Sequence, residues 1–174
     1  MSQEPPQDGP SGSLRWADYL DWVRADICRT VLGLTTEQQR TARVPSGWTP
    51  LELLSHCLHM ERRWFVWGFL GEPVDDPWGD WTDGTVAPAR WVVADGVTAA
   101  DLADRLERIG ERTRGVLSDF APDTTAAVGG RFSKDPPTLE WICFHVLAEY
   151  ARHAGHLDIV VELSGAQAGT QQMP

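Results

Sequence analysis

The chain has 174 residues, 42% hydrophobic and 23% charged, and a formal net charge of −10. That length supports one domain with a substantial core, and the acidic balance disfavours nucleic acid or an anionic membrane as a general partner. Cys28, Cys57 and Cys143 are widely spaced and form no CxxC, which argues against a disulfide framework or a zinc ribbon and for the reducing cytoplasm.

The opening dozen residues, MSQEPPQDGPSG, are polar and rich in Pro and Gly. They read as a disordered tail over 1–12, without the basic and apolar regions of an export signal, and no apolar run reaches bilayer length. A first helix is predicted from near Ser13, taken as its N-cap. Its stripe is Trp16, Leu20, Val23, Ile27, Val31 and Leu34, and Gly33 marks its end. The second opens at TPLE, where Thr49 caps, Pro50 takes the first helical position and Glu52 completes a capping box. It continues through Leu53, His56 or Cys57, Met60, Trp64 and Trp67 until Gly71 and Pro73 stop it. Glu61, Arg62 and Arg63 read as a solvated face of this helix. The stretch 71–97 is a long loop holding Trp78, Trp81 and Trp91, of a length that tends to be functional or mobile. Burial against the helices is the simplest role for these rings, with ligand contact as the alternative.

A third helix starts at Thr98, with Asp101 in its first turn and a stripe of Leu102, Leu106, Ile109, Thr113 and Val116; Pro122 lies beyond its end. A second loop covers 121–137. The fourth helix runs from near Thr138 to about Gly165, and 166–174 form a flexible tail. No internal repeat appears, and RWVV is too short to support a sheet. The expected fold is all-α: a four-helix bundle over 13–165, with long loops after helices two and three.

The fourth helix carries the chemical signal. Ile142, Val146, Glu149, His153, His156, Val160 and Leu163 follow one another at alternating steps of four and three, the spacing of one helical face. The ends of this stripe are aliphatic, but its middle is acid, imidazole, imidazole, and such groups are costly to bury without partners. Helix two also interrupts its apolar face with His56, and His59 lies one turn on, toward the flank. Side chains from facing helices can meet in a bundle centre and hold a metal there. Imidazole suits zinc, nickel, iron or copper, and a carboxylate can complete the shell. Glu149 and His153, one turn apart, can point at one ion, with His156 as a further ligand or a donor behind them. Three protein ligands and an open position make the catalytic form of such a site. The segment HCLH is not the zincin HExxH. A lone histidine on an apolar face is more often a hydrogen-bonded core residue, yet three polar groups on one stripe and a fourth on another helix go beyond that. His145, at the edge of the stripe, carries less weight. Cys57 and Cys143 read as inert core thiols. Asp158 either orients one of the histidines or sits on the surface.

With those residues in view, WTPLELLSHCLHMERRWF followed some ninety residues later by LAEYARHAGHLDIVVEL resembles the DinB-like superfamily, and within it the branch akin to the mycothiol-dependent enzymes of actinobacteria. The resemblance covers 14–165. It implies an up-down-down-up four-helix bundle, often a homodimer, with a divalent metal held in the centre by three histidines. The helix-two histidine of the family falls on His56. Of the two histidines four apart on its last helix, the second falls on His153 and the first on Glu149, while His156 stands where many members have glutamine. The chain thus departs from the three-histidine pattern: either Glu149 ligates, or His156 substitutes. The resemblance further implies a thiol S-transferase or isomerase-type enzyme, in which zinc or nickel activates mycothiol toward a small electrophilic substrate, with His59 or a non-ligating Glu149 as acid–base helper. A non-catalytic metal- or small-ligand-binding bundle related to stress is the alternative. No nucleic acid or membrane partner is implied.

Overall fold

The structure is a computed structural model that describes residues 3–81 and 91–165; the predicted C-terminal tail and residues 82–90 of the first loop lie outside the described residues. Among the described residues, every regular element is helical: α1 (Ser13–Leu32), α2 (Thr36–Gln39), α3 (Pro50–Arg62), α4 (Ala99–Asp119) and α5 (Leu139–Leu163). None of these helices is long and apolar enough to cross a membrane.

The helix starts follow from their caps. Thr49 and Thr98 each accept from the backbone three residues on, and Glu52 and Asp101 bond back to close the box. Thr138 accepts from the Trp141 N–H. α1 starts differently: Gly12 is its N-cap, and the Ser13 hydroxyl donates to the Phe120 carbonyl 3.3 Å away. Arg15 then gathers the carbonyls of Pro6, Gln7, Gly9 and Pro10 against the first turn of α1. The short α2 has a complete capping box of its own, between Thr35 and Gln38.

Beyond Arg62, α3 does not stop but widens into a π-helical segment, Arg63–Phe69; there the Leu70 N–H reaches five residues back to Phe65 at 3.1 Å. The second loop docks on its end through Ala127 N–H to the Phe69 carbonyl and Arg131 N–H to the Trp67 carbonyl. Gly130 makes that approach possible, since a Cβ there would lie 2.2 Å from the Trp67 carbonyl oxygen.

α1 and α3 each pack against both α4 and α5. The core between them includes Leu20, Ile27, Leu53, Leu54, Phe65, Leu102, Leu106, Ile142 and Val146. On α5 the buried face runs Val146, Tyr150, His153, Leu157, Val160 and Val161. Glu149 is half-buried, and His156 and Leu163 are exposed. Ile142, Val146, His153 and Val160 of the predicted stripe are buried, while Glu149, His156 and Leu163 form a row at its edge that turns outward along the helix. A straight helix drifts about 20° per heptad from the stripe's 3.5-residue repeat, and Tyr150 and Leu157 fill the other side of the buried face.

The reading of Glu61, Arg62 and Arg63 as a solvated face is corrected by the structure. Arg62 is half-buried, Arg63 is buried, and Glu61 is 0% exposed. The Glu61 carboxylate accepts from Arg24 Nε at 3.0 Å and Nη2 at 2.8 Å, from the Thr113 hydroxyl at 2.5 Å and from the Tyr150 hydroxyl. One residue each from α1, α4 and α5 thus converges on a single α3 acid. Gly110 lets Arg24 pass, because a Cβ at that position would lie 2.5 Å from the guanidinium carbon. Arg63, two helical turns on from His56 and also buried, is matched by a carboxylate from the first loop.

Candidate metal centre

His56 comes from the middle of α3, Glu149 and His153 from successive turns of α5. One ligand atom of each lies within 4.8 Å of the others. His153 is the informative member. It is buried, and neither ring nitrogen has a hydrogen-bond partner. Its Nε2 is 3.4 Å from Glu149 Oε2, a contact too poorly aligned to be a hydrogen bond. Buried polar atoms are seldom left in this state, and service as a metal ligand is one of the few physical explanations. Burial first, and the adjacent His56 second, hold His153 down to about 4, so its ring is neutral at pH 7 with a lone pair to give.

His56 is oriented from the loop. Its Nδ1 is 2.7 Å from Asp80 Oδ2, while Asp80 Oδ1 accepts from Arg63 Nη1 at 2.5 Å. Burial by itself would raise the Asp80 carboxyl, but the hydrogen bonds from His56 and Arg63 outweigh it and hold the acid below its ordinary value. An ionised Asp80 takes the proton-bearing Nδ1 and leaves Nε2 as the free lone pair, the usual way an outer carboxylate fixes a ligating imidazole. Asp80→Asn keeps the shape and removes the charge. It is expected to weaken divalent-metal affinity about 10–100-fold with the helical circular dichroism unchanged; a competitive chelator titration measures it, and wild-type affinity in the variant would refute the orienting role.

Aromatic rings wall the site. Trp91 stacks on His56 with centroids 4.1 Å apart and meets His153 edge-on at 5.3 Å. Trp48 lies 6.3 Å from Trp91. The loop is fastened here by a bridge between Trp81 and Trp91 and by Val92 N–H to the Asp80 carbonyl at 2.8 Å. Burial of the loop tryptophans is only partial, since Trp78 remains 46% and Trp81 40% exposed. Trp78 instead packs beneath the guanidinium groups of Arg63 and Arg131.

The other sequence candidates lie further out. The exposed ring of His156 is 5.9 Å from that of His153 and 6.4 Å from Trp48, centre to centre. His59 is buried, and burial pushes it down to about 4; its Nδ1 is 3.1 Å from Arg62 Nη2. Asp158 is exposed, and its carboxyl is raised by partial burial and by Asp26 and Glu162. His145 stacks on Trp141 and lies tilted against Trp64. Burial pushes the Cys57 thiol well up and the Cys143 thiol to about 12, as inert core thiols require. Asp80 escaped the sequence reading, and Trp91 stood out only as one of three loop rings, with ligand contact as an alternative to burial. Five aspartates, 75, 76, 80, 83 and 95, punctuate the same loop, and nothing local distinguishes the one that turns inward.

The model of the Mycothiol-S-transferase family matches residues 15–165. The chain belongs to that family. Membership places it in the DinB-like superfamily that the helix-two and helix-four motifs resembled. No curated protein and no solved structure matches it. In this Mycothiol-S-transferase family member, the residues brought together at the centre are two imidazoles and one carboxylate. That donor set suits zinc and other divalent first-row metals.

Proposed function

We propose that this protein is a divalent-metal-dependent thiol S-transferase, or an isomerase-type relative, that uses mycothiol as the thiol and a small electrophile as the second substrate. The observation that carries the reading is the pair of orphaned ring nitrogens on buried His153, set beside His56 and Glu149 in a chain of this family. His56 Nε2, a Glu149 carboxylate oxygen and a His153 nitrogen would hold zinc or nickel, with His156 as a fourth candidate on the exposed side. When bound, the metal supplies Lewis acidity that favours the thiolate form of a sulfur ligand over the thiol. The protein's own residues provide the rest. Asp80 and Arg63 fix the His56 ring, Trp91 shields it from water, and half-buried Glu149 leaves one side of the site accessible. On this reading the positioning role considered for Asp158 belongs to Asp80, and the acid–base role considered for His59 is not needed to hold the metal. The long helices run up-down-down-up over 13–165, and the protein is a cytoplasmic homodimer.

The test is turnover. Protein of defined zinc or nickel content is mixed with mycothiol and a panel of alkylating and strained-ring electrophiles, and loss of free thiol is followed. Metal-dependent consumption of thiol supports the transferase reading. Stoichiometric metal with neither thiol consumption nor thiol-dependent rearrangement of any electrophile across the panel would replace both readings with a non-catalytic binding protein.

A further inference from the structure

One turn along α3 from His56, a cavity of about 210 Å³ opens between α3 and α4, lined by Leu58, His59, Arg62, Arg105, Arg108 and Ile109. Three guanidinium groups line it and no carboxylate does, in a chain whose net charge is −10. The charges of α4 are sorted by face. Asp104, Glu107 and Glu111 line the separate cavity shared with α1, while Arg105 and Arg108 face α3. Asp101, one turn before Arg105, is already committed to the N–H and hydroxyl of Thr98. Arg62 donates through Nη2 to the Asp76 carbonyl and to His59 Nδ1, and its Nε is buried without any partner. A guanidinium only donates, so His59 Nδ1 accepts and the ring carries its hydrogen on Nε2, which adds a neutral donor to the lining.

We propose that this cleft is a binding site for a phosphate group, free or as a monoester. Paired arginines match tetrahedral oxyanions through parallel N–H donors, and a dianion would relieve the mutual repulsion of three cations held in one small space. The volume falls below the roughly 300–1,000 Å³ of sites that enclose drug-sized ligands, so the ligand is a small ion or the phosphoryl end of a larger molecule. No residue of the His56–Glu149–His153 group lines the cleft, so the two sites can be tested separately.

The experiment titrates the full-length, metal-loaded protein with inorganic phosphate, and in a second arm with glycerol 3-phosphate, against chloride at matched ionic strength. Calorimetry and thermal melting are the readouts. Arg105→Gln/Arg108→Gln serves as the variant; both side chains are exposed, so its melting temperature in chloride should stay near wild type. Saturable phosphate binding is expected in the wild type, weakened about tenfold or more in the variant by the loss of charge-assisted bonds. Tighter binding of the ester would identify a phosphorylated metabolite as the source, and tighter binding of phosphate the free ion. Binding no stronger than the chloride control, or phosphate affinity equal in wild type and variant, overturns the proposal; in the latter case the anion sits elsewhere, at the metal centre for instance.

Discussion

His153→Ala protein, purified without a metal-affinity tag, is expected to lose stoichiometric metal while keeping its helices; His145→Ala protein is expected to keep both. His153 supplies one of the three donors that lie within 4.8 Å of one another, and a catalytic-type site with only two protein ligands left holds its metal poorly. Alanine is the best helix former, so the substitution leaves α5 itself intact. His145 is on the same helix two turns earlier, but its ring lies against Trp141 and Trp64 instead of facing His56. Its loss removes ring contacts worth about 0.5–1.5 kcal/mol and no donor from the cluster. Thermal melting separates the two outcomes independently of elemental analysis. A ligand at a hundred times its Kd adds about 2.7 kcal/mol of stability, which for a chain of this size is roughly 5–11 °C in Tm. That metal-dependent rise should be present in the wild type and His145→Ala and absent in His153→Ala. Equal behaviour of the two variants would sink the ligand assignment.

What could be read in the sequence follows from how local each signal is. Thr49 with Glu52 and Thr98 with Asp101 announce helix starts because a capping box is complete within four residues. α2 carries the same signal in Thr35 and Gln38, but its four residues are too few to show a periodicity. The π segment has no such marker. It begins at Arg63, which in the sequence is simply the end of an ERR run. His56, Glu149 and His153 stood out because each interrupts an apolar helical face, and the fold gathers these three. His156 stood out on the same reasoning and lies on the exposed side, because Glu149 already sits at the edge of the buried face and a step of seven carries the side chain about 20° further toward solvent. Asp80 and Trp91 are placed by a loop whose path depends on the Trp81–Trp91 bridge and on partners tens of residues away, and neither has a local pattern.

Glu61→Ala is expected to be the most destabilising single change away from the metal centre. Loss of the buried carboxylate leaves Arg24 with only the part-exposed Asp21, 2.5 Å from its Nη1, as a counter-charge, and breaking a buried pair costs about 3–5 kcal/mol. The Thr113 and Tyr150 hydroxyls lose their acceptor as well. Glu61 now keeps the Arg24 guanidinium charged despite its burial, and burial together with Glu61 holds the Tyr150 phenol neutral, well above its ordinary value. The Tm should fall by roughly 6–20 °C, read by calorimetry on the metal-free protein so that metal linkage does not enter. Arg24→Met/Glu61→Leu separates charge from packing. It removes both ions together and should recover much of the loss, since an ion pair replaced by apolar groups of similar volume is often neutral or stabilising. If Glu61→Ala melts within a degree or two of wild type, or the double substitution is worse than the single one, the network is not what fixes the four long helices together. The consequence reaches the site, because Tyr150 adjoins Glu149 on α5 and Glu61 lies on the same helix as His56. The bond between them sets the register in which imidazole and carboxylate meet. Metal affinity should therefore fall in Glu61→Ala although no ligand has been touched, and it should return in the double variant to the extent that packing alone restores that register.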